Sequence, residues 1–231
     1  LTGRVDHKVS DVNSLFVRVG TKRTFRGQNA GYLPTTGPND QVRWPYLITA
    51  SDTHVFRPGL VNEFRYSLNR ERNHFRPPLK GLELVKLLGI QGLLSPPDRS
   101  AVPSFSVSGF TTVGTWGEGD WRYKTHQFAD TLSWIRGRHS FKFGTDVRRR
   151  NVNSYSIGDS VYGSFTFNGA FTGYSYADFL LGLPQSSGRL TPNPDVWTHN
   201  ADFSFFFQED FKINPKLTLN FGVRYDLQTA Y

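Results

Sequence analysis

Adjacent carboxylates are the first place to look for acid–base chemistry, and this chain sets Glu209 beside Asp210 within an aromatic stretch. A general acid and base must face one substrate, but neighbours on a strand point to opposite faces. The pair is therefore expected to be split by a sheet and to sit at a rim beside Asn214. Six histidines are scattered without ligand spacing, and the absence of cysteine removes thiolate nucleophiles, zinc–thiolate sites and disulfides. Gly117-Glu118-Gly119 lacks the third glycine of a dinucleotide loop, and there is no nucleophile elbow, phosphate-cradling loop or paired-histidine zinc helix. The expectation is no catalytic residue, no cofactor, no metal and no enzyme. The run Arg148, Arg149 and Arg150 remains, and guanidiniums suit phosphate.

Positioning falls to strands. Aromatics make up 15% of 231 residues, with 20 Phe and 10 Tyr, and 22 Gly and 13 Pro break the chain into segments. Such side chains suit a pleated surface and such breakers punctuate it, so the class is all-β. In residues 217–226, Leu219, Phe221, Val223 and Tyr225 alternate with Asn220, Gly222, Arg224 and Asp226. The same two-faced design recurs on either side of short turns at Ser10, Pro58-Gly59 and Gly137-Arg138. Longer connections separate these hairpins. Residues 24–43 are rich in Gly and Pro and are expected to form a loop, and the spacing of Leu84, Val85, Leu87 and Leu88 predicts a short helix. Asn168-Gly169 signals a turn, and a further helical turn is expected over residues 177–181, ended by Gly182-Leu183-Pro184.

Short turns alternating with long connections point to a bilayer. Compact soluble β-domains rarely hold a long loop at every second connection, whereas outer-membrane barrels have short periplasmic turns and long external loops. Most strands also approach the ~9 to 11 residues that cross a bilayer at a tilt. On this reading Leu15, Val17, Phe64, Tyr66, Leu132, Trp134, Phe141, Phe143, Leu219, Phe221, Val223 and Tyr225 face lipid. Trp44, Tyr46, Phe56, Trp197 and Phe211 belong with Trp134 and Tyr225 in interfacial girdles, and Arg148, Arg149 and Arg150 contact lipid phosphate at the outer rim. The formal charge of +8 invites a polyanion, either nucleic acid or an anionic membrane surface. Single-strand binding needs rings and cations on one face. Here Phe141, Phe143 and Val147 lie opposite Lys142 and Arg148, which favours lipid outside and water inside, with no nucleic acid as partner. A soluble β-sandwich or lectin-like module would show the same alternation, and strand length and loop asymmetry separate the two.

Three stretches resemble a known family. RGRHSFKFGTDVRRR (136–150), GSFTFNGAFTGYSYADFLLGLP (163–184) and FFFQEDFKINPKLTLNFGVRYD (205–226) look like the barrel of TonB-dependent outer-membrane receptors, in the Oar-like branch that carries a carboxypeptidase-regulatory-like domain. The resemblance implies a 22-stranded plugged barrel in the bacterial outer membrane, energised through a TonB box and importing a nutrient. The chain is expected to be one partial barrel domain of about eight to ten long strands, without plug, TonB box or regulatory domain. Its expected partners are outer-membrane lipid and lipopolysaccharide, with the TonB complex reached only through the missing N-terminal part. No motif names the ligand.

Overall fold

A computed structural model describes residues 1–28, 39–76, 80–93, 100–114, 117–156, 161–189 and 196–230. In chain order the elements are β1 (Thr2–Lys8), β2 (Asn13–Thr21), β3 (Thr24–Gln28), β4 (Asn39–Arg57), β5 (Leu60–Arg76), α1 (Gly81–Leu87), β6 (Ser104–Val107), β7 (Gly119–Arg136), β8 (His139–Ser156), β9 (Ser164–Phe167), α2 (Ser175–Leu180), β10 (Ser186–Gly188), β11 (Val196–Asn214) and β12 (Leu217–Gln228). One antiparallel sheet of nine strands dominates, in the order β1-β2-β4-β5-β7-β8-β11-β12, with β3 paired to β4. β1 and β12 end the path, so the sheet is an open wall. Among the described residues its apolar face has no second sheet packed upon it, which is not the arrangement of a sandwich.

The turns explain the long strands. β4 and β5 meet at Pro58-Gly59, where Gly59 has φ +79°, and β7 and β8 meet at Gly137-Arg138, where Gly137 has φ +61°. A left-handed residue lets a short turn follow the twist of its strands, so pairing starts beside the turn and, apart from a register shift between Val55 and Arg57, runs the length of β4, β5, β7 and β8, 17 to 19 residues each.

Residues 24–43 depart from the expected loop. β3 continues where β2 stops, pairing Thr24 with Arg43, while β2 ends at Thr21 opposite Tyr46. The handover falls at Pro45, whose missing N–H cannot serve a ladder and whose carbonyl accepts from Lys22 N at 3.3 Å and from the Thr21 hydroxyl at 3.1 Å. Gly27 thus lies within the sheet, and Pro45 marks a change of partner rather than the end of the sheet. Residues 29–38 lie outside the described residues.

At the end of the sheet remote from the short turns sits a small module. β9 pairs in parallel with β6 and antiparallel with β10, α2 packs beside them, and α1 packs against Tyr162. Its core is Val85, Ala101, Val161 and Tyr162, and Gly81 lies so close to the Tyr162 ring that a Cβ there would overlap it. Both helices appear near their expected places, at 81–87 and 175–180. Asn168-Gly169 does turn the chain, but into the loop before α2 rather than into a hairpin, with Ala170 N donating to Asn168 Oδ1. Asp178 on α2 has no exposed surface and accepts from the Thr172 hydroxyl at 2.6 Å, Thr172 N at 2.9 Å and Phe171 N at 3.3 Å. Above all the hydroxyl bond, then these amides, hold its carboxyl below the usual range against the opposing effect of burial.

Candidate functional site

Directly paired residues on neighbouring strands share a face, so the register sorts every side chain. One row runs Val17, Ala50, Tyr66, Phe128, Val147, Phe203 and Leu227. Another runs Leu132, Phe143, Phe207 and Val223, and a third runs Trp134, Phe141, Glu209 and Phe221. Leu15, Phe64 and Tyr225 fall in a fourth, and Leu219 stands opposite Phe211 in a fifth. All twelve residues singled out as lipid-facing therefore share one face. Its aromatic rings touch along and across the strands, with Phe143 and Phe207 centred 5.1 Å apart and Tyr66 and Phe128 5.0 Å apart.

The run of arginines is divided by the same alternation. Arg149 stands on the apolar face, opposite His126 and Ala201. Arg148 and Arg150 stand on the polar face, where Arg148 pairs with Asp146 at 2.9 Å and Arg150 pairs with Asp202. The three do not form one outer-rim contact. The polar face repeats this pairing: Arg4 with Asp6, Arg65 with Glu63 and Arg224 with Asp226 join residues two apart along one strand. Much of the charge on the polar face is therefore carried in couples.

The turns are not level along the rows. From the row through Tyr66 to the nearest turn takes about six residues on β2, seven on β5, nine on β8 and twelve on β11. A slip of about one residue per strand, ~3.3 Å along for ~4.8 Å across, tilts the strands by about 35° from the normal to the line of turns. Each residue then rises about 2.7 Å above that line. Trp134 and Phe141 stand about 9 Å up, and Arg70, Lys124 and Arg149 stand between about 30 and 37 Å up on three adjacent strands. The apolar band between these levels is about 22 Å tall, close to the ~25 Å of a barrel's outer band.

Polar residues interrupt the band in satisfied pairs. Asn62 donates to Asp130 and Asn13 donates to Asp52, both at 2.8 Å. Higher up, burial opposes ionisation of Asp120 at the far end of β7, but the guanidiniums of Arg72 and Arg122, each 2.7 Å away, outweigh it and hold the carboxyl below the usual range.

Groups that suggested chemistry are set apart. Glu209 shares a face with Phe141 and Phe221 and meets His139 at 2.5 Å, while Asp210 lies on the other face opposite Ser140 and Asn220. Glu118 is held between His74 at 3.4 Å and Arg76 at 3.7 Å. Among the described residues no three His, Asp or Glu gather as a metal site. Sequence reasoning missed Arg70 and Lys124, which become neighbours only through the register of β5 with β7. It also missed a cavity of about 890 Å³ in the outer module, lined by apolar residues such as Leu84, Ile90, Phe105, Phe165 and Phe179 and by no charged side chain.

No curated protein sequence matches the chain. Among solved structures it is similar to the outer membrane transporter YddB from Escherichia coli, with a TM-score of 0.62 and 9% identity over 98% of this chain and 26% of that one. The chain thus spans about a quarter of that transporter's length, and at this identity the likeness is one of fold. The family model for an outer membrane beta barrel domain matches residues 1–231. With its two-faced, tilted sheet, the chain belongs to the outer membrane β-barrel domain family, and its place is the bacterial outer membrane.

Proposed function

We propose that the chain is part of the wall of a TonB-dependent receptor of the Oar-like branch, which takes up a nutrient through the outer membrane. The observation that carries this reading is an alternation held in register across eight strands, with an apolar band of bilayer height on one face and paired charges on the other. Leu15, Val17, Phe64, Tyr66, Leu132, Trp134, Phe141, Phe143, Leu219, Phe221, Val223 and Tyr225 then meet lipid, and Arg148 and Arg150 line the lumen. The open edges at β1 and β12 pair with further strands of a larger barrel, since an exposed edge of this length would aggregate. Lipid and lipopolysaccharide are the outer partners, the TonB complex is engaged through a part outside this chain, and no nucleic acid is bound. The wall carries no enzymatic activity of its own. Capture of the ligand falls to the outer loops, whose uncharged cavity suits an apolar group on it.

The test is made on the full-length protein. It sediments with outer membranes, migrates differently on gels before and after heating, and supports growth on its nutrient only when TonB is present. Recovery as a soluble monomer without detergent overturns the barrel; uptake unchanged without TonB overturns the transport class.

A further inference from the structure

We propose that Arg70, Lys124 and Arg149 form a site on the outer face of the wall for the phosphates of an acylated, phosphorylated glycolipid. The inference rests on the reading that the apolar face looks outward. These three exposed cations come from the adjacent strands β5, β7 and β8 and stand within about 7 Å of height of one another at the upper edge of the apolar band. Arg70 stands directly opposite Lys124, and Arg149 lies diagonal to Lys124 through its own pairing with His126. Like charges opposed across a ladder repel unless a counter-ion lies over them.

The described residues supply none. Arg72 and Arg122, slightly higher on the same face, share the carboxylate of Asp120, and Arg148 and Arg150 on the polar face are each paired with a carboxylate. Arg70, Lys124 and Arg149 have no ion-pair partner among the described residues. A phosphate placed between Arg70 and Lys124 meets a guanidinium fork and an ammonium at once, and a second phosphate on the same molecule reaches Arg149. Below Arg70 and Lys124, toward the short turns, comes the row of Leu68 and His126 that also holds Arg149, and below that the row of Tyr66, Phe128 and Val147 offers an apolar surface to acyl chains. Free phosphate satisfies the cations but leaves that row unused, so a lipid whose phosphates and chains share one molecule fits the whole surface.

The experiment measures binding by the purified full-length protein in detergent to bisphosphorylated lipid A, to the same lipid with its phosphates removed, and to inorganic pyrophosphate. Removing one cation near a membrane surface weakens binding roughly fivefold. The variant R70Q/K124Q/R149Q is therefore expected to bind lipid A about a hundredfold more weakly, with a flattened salt dependence. The control R148Q/R150Q is expected to bind as the parent does, and both the dephosphorylated lipid and pyrophosphate are expected to bind at least about tenfold more weakly than lipid A. If the triple variant fails to migrate as a folded barrel, K124Q alone carries the test, with an expected loss of about fivefold. Unchanged binding by a folded triple variant, or equal loss in R148Q/R150Q, overturns the site. Pyrophosphate binding as tightly as lipid A overturns the lipid as its ligand. A parent that does not insert into outer membranes at all fails the reading of the face, which is a different result from an inserted protein that ignores these three residues.

Discussion

At the scale of single residues, alternation turns one position into a choice of solvent, and its strictness can be measured. Gly144 lies on the polar face beneath the ring of Phe206, and a Cβ at that position would overlap the ring. Gly144→Ala is expected to cost about 1–3 kcal/mol by overpacking, and most of that cost is recovered when Phe206 is also shortened to alanine. Equilibrium unfolding of the two single variants and the double variant in lipid checks this, and strictly additive losses would show that the ring is free to move aside. Asn62 and Asp130 make a complementary case. Asn62→Leu leaves a carboxylate in the apolar band without its donor and is expected to destabilise by about 1–3 kcal/mol, whereas Asn62→Leu with Asp130→Leu costs less than the single change. Much of this scale was legible in the sequence: Phe141, Lys142, Phe143 and Arg148 fall on the faces that their spacing predicts. The arginine run was not read correctly as a unit, because three consecutive residues on a strand cannot share a face. Nor could the opposition of Arg70 to Lys124 be seen, since they are far apart in the chain and only register joins them.

Elements show where local signals suffice and where they mislead. Pro-Gly and Gly-Arg at the short turns fixed the hairpins because a left-handed residue at a turn is a local requirement. The glycines and prolines of residues 24–43 misled, because Gly27 is carried within β3 and the chain exchanges β2 for β3 beside Pro45, where a proline forbids a ladder bond at one place only. The outer module depends on one close approach. Gly81→Ala on α1 drives a methyl group into the Tyr162 ring and is expected to loosen the module by about 1–3 kcal/mol while leaving β4–β5 and β7–β8 intact. Hydrogen exchange should quicken at α1 and Val161 but not at Phe128 or Val147. The module and the wall also differ in acid. Asp120 has its carboxyl pKa below its unfolded value, so its clamp on Arg72 and Arg122 contributes fully above the ordinary carboxylate range, near pH ~4, and is lost as pH falls through the lowered value. Asp120→Asn is expected to remove that acid-dependent step in exchange at the outer ends of β5 and β7, and a step that persists in the variant would assign it elsewhere.

For the whole molecule, the claim is that nine paired strands form a tilted wall with lipid on one side and water on the other. Composition pointed to β-structure, and the length of the connections pointed to a membrane. Tilt and band height emerged only when turns were compared across rows, because they depend on how far each strand slips past its neighbour. Residues 1–231 contain no cysteine, so labels placed in them report on this wall alone once any cysteine elsewhere in the full-length protein is replaced. Single cysteines are placed along β8 of the full-length protein in bilayers, from Phe141→Cys to Arg148→Cys, each is spin-labelled, and collision with oxygen dissolved in lipid is compared with collision with a water-soluble nickel complex. The account predicts a period of two, with Phe141, Phe143, Thr145 and Val147 exposed to oxygen and Lys142, Gly144, Asp146 and Arg148 exposed to nickel. Equal access of the nickel complex to both sets would contradict it.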